Sequence, residues 1–380
     1  VSKRLNGEGM VRKHPSKNLY EARYSYTDPI TEKRKRGSVY GKNAQEALTK
    51  LRGVQERLKE NKPPTDSRMT VSKWIDQWQS RNLPASNRKE TTKETYRLLS
   101  SKHLKPSPFG ELELSKVRPS HIDELLEKLK SQGYSESTIR NLYAVLNSIL
   151  DGARRDELIA VNPIREVRRP RVSKQEAKHL SPESVRLLLD ASVGSRYETL
   201  LRLIAATGLR RGEAIGLEWS DIQFEKKLMQ IRFTVSRVQG KLHKSTPKTS
   251  NSRREIPLSD GLIQLLKTHR KNQNTERLMA GDKWLDNGLV FSTELGGLID
   301  PRNLLRVFTN AAKAAGLEKV SLHTLRHSAA TAMLNTGTPM HVVSRILGHS
   351  SISITVDTYG HITEDSQRDA MDGLSSALGF

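Results

Sequence analysis

His323-Thr324-Leu325-Arg326-His327, then Leu347-Gly348-His349-Ser350, then Thr358-Tyr359-Gly360-His361: these three pieces decide how the chain is read. Around the first, Leu325, Ala329, Met333 and Leu334 recur at helical spacing, which predicts a helix. Residues three apart on a helix are neighbours, so His323 and Arg326 can face one target. His349 precedes Tyr359 by 359 − 349 = 10 residues, across a β-branched run from Ile352 to Val356 with no glycine or proline. A candidate base, a fixed cation, a second imidazole and a phenol thus lie in a short stretch. That set suits attack on a phosphate diester without a metal.

The rest of the chain supports a polyanionic partner. Its 380 residues are enough for two or three domains, and its 64 Lys and Arg against 42 Asp and Glu leave a net charge of +22. The excess is spread over several segments, which favours nucleic acid. The chain has no cysteine, which removes disulfides and thiolate zinc sites and fits a reducing compartment. No long uncharged apolar run or signal-peptide core is found, so the expectation is a soluble, cytoplasmic protein without membrane contact.

Taken in order, Tyr20 to Tyr26 alternates as a strand, Asp28-Pro29 marks a turn, and Arg34 to Tyr40 is the return strand. Asn43 can cap a helix through Leu48, Leu51, Val54 and Leu58. This small basic ribbon can enter a DNA groove; the alternative is a solvated hairpin. Asn61 to Ser67 is a linker by composition. Helical spacing then carries Trp74, Ile75 and Trp78, Ile122 to Leu129, and Ile139 to Leu150, with the tryptophans read as core. Arg165 to Lys178 reads as a second, basic linker able to track phosphates. Ser181-Pro182 opens the last part as a cap and first helical residue. Gly208 breaks its apolar helix, Met229 to Phe233 alternates as a strand, and Arg253 to Leu258 is its partner. Lys248 lies in a polar turn between them, and everything after Asp300-Pro301 reads helical.

Ala206-Thr207-Gly208-Leu209-Arg210-Arg211-Gly212-Glu213, Pro247-Lys248-Thr249, His323-x-x-Arg326-His327, Leu347-Gly348-His349 and Tyr359 occur in this order. Together they resemble the tyrosine recombinases of the phage integrase type, most strongly over residues 178–380. The resemblance implies a mainly α, multidomain protein with small antiparallel β-sheets. Its expected parts are an arm-type DNA-binding domain (1–62), a helical core-binding domain (68–165) and a catalytic domain (179–380). It implies a C-shaped clamp on duplex DNA at core and arm sites, a homo-tetramer in the synapse, and strand exchange through a four-way junction. Accessory partners would be a host DNA-bending protein and an excisionase, and the place of action the host nucleoid.

The resemblance also distributes roles. Arg210 and Arg326 would hold the phosphate through forked donors. The family pattern places the active arginine directly after Gly208-Leu209, which favours Arg210 over Arg211. Tyr359 would be the nucleophile, His323 its proton acceptor, Lys248 the general acid, and His349 a donor to the scissile phosphate. Lys244 is the rival to Lys248, and Glu213 would hold the first arginine or its helix. The phosphotyrosine conserves bond energy, so no cofactor or ATP is needed. His323 and His327 could instead form a metal pair, but the glutamate of the metalloprotease signature is replaced by Thr324. A relaxing enzyme of the type IB topoisomerase kind and a non-catalytic DNA-binding regulator are the rival functions. The arm-like N-terminus argues against the first, and the presence of Tyr359 and Lys248 against the second.

Overall fold

In the computed structural model the described residues are 11–15, 18–27, 34–59, 69–173, 178–246, 253–360 and 364–379, the side chains of 364–370 excepted. The Asp28-Pro29 turn, the Asn61 to Ser67 linker and Lys248 lie outside them. The chain forms two compact units, Val1–Ser173 and Lys174–Phe380.

The first unit opens with an antiparallel sheet, β1 (Val11–Lys13), β2 (Tyr20–Thr27) and β3 (Arg34–Gly41), in that order. Helix α1 (Ala44–Lys59) follows, started by Asn43, whose side-chain oxygen accepts from the Glu46 amide at 2.8 Å. Strand alternation turns Ala22 and Val39 toward Ala47 and Leu51 of α1, a small apolar cluster. The opposite face carries charge. Glu21 sits there at 4% exposure and accepts from Ser38, Arg23 and Arg12. The Ser38 hydroxyl and the Arg23 guanidinium hold its carboxyl down near 2.

The second core of this unit is all helix: α2 (Val71–Gln77), α3 (Glu90–Leu99), α4 (Pro108–Glu111), α5 (Pro119–Ser131) and α6 (Glu136–Arg155). Trp74 and Trp78 are core as expected, each 2% exposed, and the Trp74 indole donates to the Ile149 carbonyl at 2.9 Å. The Arg165 to Lys178 segment is only partly a linker. Val167 is buried, and the Tyr143 hydroxyl donates to the carbonyls of Ile164 and Val167. The Ser173 amide still bonds Glu136 at 2.7 Å. Charged residues surround one apolar anchor, and the anchor decides where the chain lies. Residues 174–177 lie outside the described set.

The second unit begins with α7 (Pro182–Asp190), capped by Ser181 as read, then α8 (Glu198–Thr207) and α9 (Arg211–Ile215). A sheet of order β4 (Ile222–Gln223), β5 (Leu228–Ile231) and β8 (Arg254–Pro257) packs below, with Met229 opposite Ile256. Between β5 and β8 stands a hairpin that the sequence reading passed over, β6 (Thr234–Val238) and β7 (Lys241–Ser245). Its two turn residues, Gln239 and Gly240, both take positive φ, as a tight hairpin turn requires. Then come α10 (Asp260–Ala280), α11 (Pro301–Ala314), α12 (Leu322–Asn335), α13 (Met340–Leu347), α14 (Ile352–Tyr359) and α15 (Glu364–Leu378). The apolar residues of α8, β5, β8, α11 and α12 share one core. Among the described residues no helix is long and apolar enough to cross a membrane.

Gly208 ends α8 with φ 65°, and a Cβ there would stand 2.6 Å from the Leu347 side chain. Alanine combines a left-handed backbone with that clash, so Gly208→Ala is expected to cost about 1–3 kcal/mol. Thermal unfolding of the pure variant checks it; an unchanged midpoint would contradict the packing described.

Candidate active site

The turn after Gly208 places Arg210 at the N-cap of α9, with Glu213 one turn on. Glu213 reaches back to the Arg210 amide at 3.1 Å and takes the Arg210 guanidinium at 2.8 Å. It is 3% exposed, so burial alone would raise its pKa. Arg254 and Arg210 outweigh that and leave the carboxyl below its ordinary value, as an anion. Glu213 therefore holds the first arginine, as the sequence suggested. Arg210 keeps 39% of its side chain exposed, while Arg211 beside it is exposed on the outside of the turn.

A helix end organises the cations. The last turn of α13 leaves carbonyls without helical partners, and their partial negative charge favours cations. The Ser344 and Arg345 carbonyls are taken by the amides of His349 and Gly348. The next three each accept from a different arginine: Ile346 from Arg254 at 2.5 Å, Leu347 from Arg326 at 2.8 Å, Gly348 from Arg210 at 2.9 Å. Arg326 also donates to the Gly208 carbonyl at 2.7 Å, which ties α12 to the turn carrying Arg210. Arg326 is 2% exposed; burial and the neighbouring Arg210 bring its pKa down to about 9, still cationic at neutral pH.

His349 follows directly on the capped helix end. Its Nδ1 lies 2.8 Å from the hydroxyl of Thr355, a fully buried residue of α14. Burial, then Arg326 and Arg210, push the ring down to about 4, so it is neutral. With Thr355 donating to Nδ1, the proton belongs on Nε2, which is then free to donate. His323 stands on the first turn of α12, part of it open to solvent while its ring packs against His327. Burial of its ring, then Arg326 and Arg210, lower its pKa.

Tyr359 is 2% exposed, packed with Ala330, Leu334, Val343 and Leu347. Burial pushes its phenol up to about 12, against the pull of Arg326. Its hydroxyl lies 2.5 Å from Nδ1 of His327, whose ring burial, His323 and Arg326 push down to about 4. A protonated phenol thus donates to a neutral imidazole. The resemblance named His323 as the proton acceptor; in the fold His327 holds the tyrosine and meets His323 edge to face at 4.5 Å. Arg254 was also missed. Its signal was there: β8 alternates, and Arg254 occupies the inward register with Ile256 and Leu258. Of the lysines, Lys244 is tied to Glu218 and lies over the Phe233 ring. Arg210 at the start of α9, His323 and Arg326 of α12, His349 just past the end of α13 and Tyr359 of α14 are thus brought together.

Comparison with known proteins agrees with this arrangement. Residues 176–366 match the model of the phage integrase family. The chain is similar to a XerC-like tyrosine recombinase of Caldanaerobacter subterraneus, 31% identical over 362 residues that cover 90% of this chain and 91% of the relative. The fold is similar to that of the Tn1549 transposon integrase solved with transposon right end DNA, at a TM-score of 0.67 and 24% identity over 81% of this chain and all of that one. It is similar also to lambda integrase, solved as a tetramer on a Holliday junction, at a TM-score of 0.56 and 17% identity over 93% and 96% of the two chains. The chain belongs to the phage integrase family: it is a tyrosine recombinase, an enzyme that breaks and rejoins DNA in the site-specific recombination of mobile elements.

Proposed function

We propose that Arg210 and Arg326 hold the scissile phosphate of duplex DNA and that Tyr359 attacks it. The strand break then leaves a 3′-phosphotyrosine and a free 5′ hydroxyl. The observation that carries this is the gathering of guanidinium groups around the end of α13, beside a buried tyrosine. Charge that builds on the phosphate oxygens in the transition state meets fixed donors there. His349 donates through Nε2 to a phosphate oxygen. His323 accepts the tyrosine proton, directly or from His327, which lies on the phenol. Lys248 protonates the leaving 5′ oxygen. No step in this scheme calls for a metal or a nucleotide.

The same reading assigns residues 1–62 to arm sites, 68–165 to the core site and 179–380 to catalysis. The basic outer face of the N-terminal sheet supports the first assignment, with Arg12 and Arg23 held in place by Glu21. Four protomers would meet in the synapse, as lambda integrase does on its junction. A host DNA-bending protein and an excisionase would complete the assembly on the host nucleoid.

Cleavage of a duplex spanning the crossover site is therefore expected to persist in excess EDTA and to weaken steeply with salt. Each phosphate contact contributes roughly −0.9 to the log–log slope of binding. Abolition by EDTA with rescue by a divalent ion would sink the scheme.

A further inference from the structure

Glu213 poses an electrostatic problem that Arg254 resolves. A carboxylate bonded to Arg210 orients it, but also cancels the charge that a phosphate would be drawn to. Here the carboxylate is shared. Its Oε1 takes Arg210, and its Oε2 takes the Arg254 guanidinium at 3.0 Å as well as the Arg210 amide. Two arginines and one glutamate leave one net positive charge, where Arg210 and Glu213 alone would leave none. Arg254 has only 3% of its side chain exposed, as has Glu213. It offers little surface to a ligand of its own, so its influence passes through what it touches.

Those contacts reach the other parts of the site. Arg254 Nε donates to the Ile346 carbonyl at 2.5 Å, three residues before His349. Gly348 packs against its guanidinium so closely that a Cβ there would stand 2.7 Å from Nη1. Arg254 also opens β8, six residues after Lys248 in sequence. A buried ion pair is a poor source of stability, because desolvation offsets most of its attraction. Its geometry is better explained by alignment.

We propose that Arg254 is a positioning residue of the recombinase: it takes up the charge of Glu213 and clamps the end of α13, so that Arg210 keeps a net positive charge facing the scissile phosphate and His349 stays aimed at it. The proposal rests on the reading of Arg210 as a phosphate-holding residue.

The test compares two substrates in the full-length protein. One is a nicked duplex with a natural scissile phosphate; the other carries a neutral methylphosphonate there. Arg254→Gln keeps a donor but loses the charge. On the phosphate, its rate of covalent adduct formation is expected to fall about 100-fold, the scale of losing one preorganised donor. On the methylphosphonate, which needs little charge neutralisation, variant and wild type should agree within about threefold, and DNA affinity should hold. Arg254→Lys restores the charge without the fork and is expected to recover about tenfold of the loss. If the glutamine variant does not fold, the lysine variant decides by the same ratio between substrates. An equal loss on both substrates, or no loss on either, overturns the proposal. Arg210→Gln is run alongside. If it cleaves the phosphate like the wild type, the phosphate-holding reading has failed, whatever Arg254 does.

Discussion

Arg326→Ala is expected to lower the rate of DNA cleavage by on the order of 10²–10³-fold while leaving Tyr359 in place. Arg326 lies deepest of the three arginines, at 2% exposure, and bonds the carbonyls of Gly208 and Leu347. Those two bonds use one N–H on each terminal nitrogen, and a guanidinium has five, so donors remain for a phosphate oxygen. Alanine removes them all. It also leaves two buried carbonyls without this partner, at about 1–3 kcal/mol each if no water replaces it. The unfolding midpoint should therefore drop together with activity. Arg326→Lys separates the two effects. It keeps a cation near the phosphate and can satisfy one carbonyl, so stability should recover more than rate does. The measurement is single-turnover cleavage at saturating protein, with melting curves for each variant. Cleavage by the alanine variant within about threefold of wild type would remove Arg326 from the chemistry, since a lost transition-state donor costs far more than that.

Local signals in the sequence carried much of the site. Gly208 marked the end of α8, and the i to i+3 spacing put Arg210 by Glu213 and His323 by Arg326. Caps at Asn43 and Ser181 and the buried tryptophans were equally visible, because each depends on residues within a turn or two. Pairings between distant elements were not legible. His327 and Tyr359 are separated by 32 residues, and only the packing of α13 between their helices brings the imidazole onto the phenol. Arg254 meets Ile346 across 92 residues. Strand alternation turned it inward, but alternation names no partner on another element. The β6–β7 hairpin was hidden for a different reason. Its strands mix charged and apolar residues, and the Gln239-Gly240 turn is a weaker signal than Asn-Gly.

The central claim is that Tyr359 forms the covalent bond to DNA. Tyr359→Phe removes one hydroxyl from a ring that is already buried, and leaves the ring packed against Leu334, Val343 and Leu347. The loss to the fold is one hydrogen bond, to His327, worth about 1 kcal/mol. The three arginines at the end of α13 stay, so affinity for the target DNA should stay near wild type. The direct measurement is the denaturant-resistant protein–DNA band formed on a nicked suicide duplex, where the cut piece diffuses away and traps the adduct. The wild-type protein should give the band, and the Phe variant should bind the same duplex and give none. A band from the Phe variant would contradict the claim and place the nucleophile elsewhere, with Tyr197 the first residue to replace next.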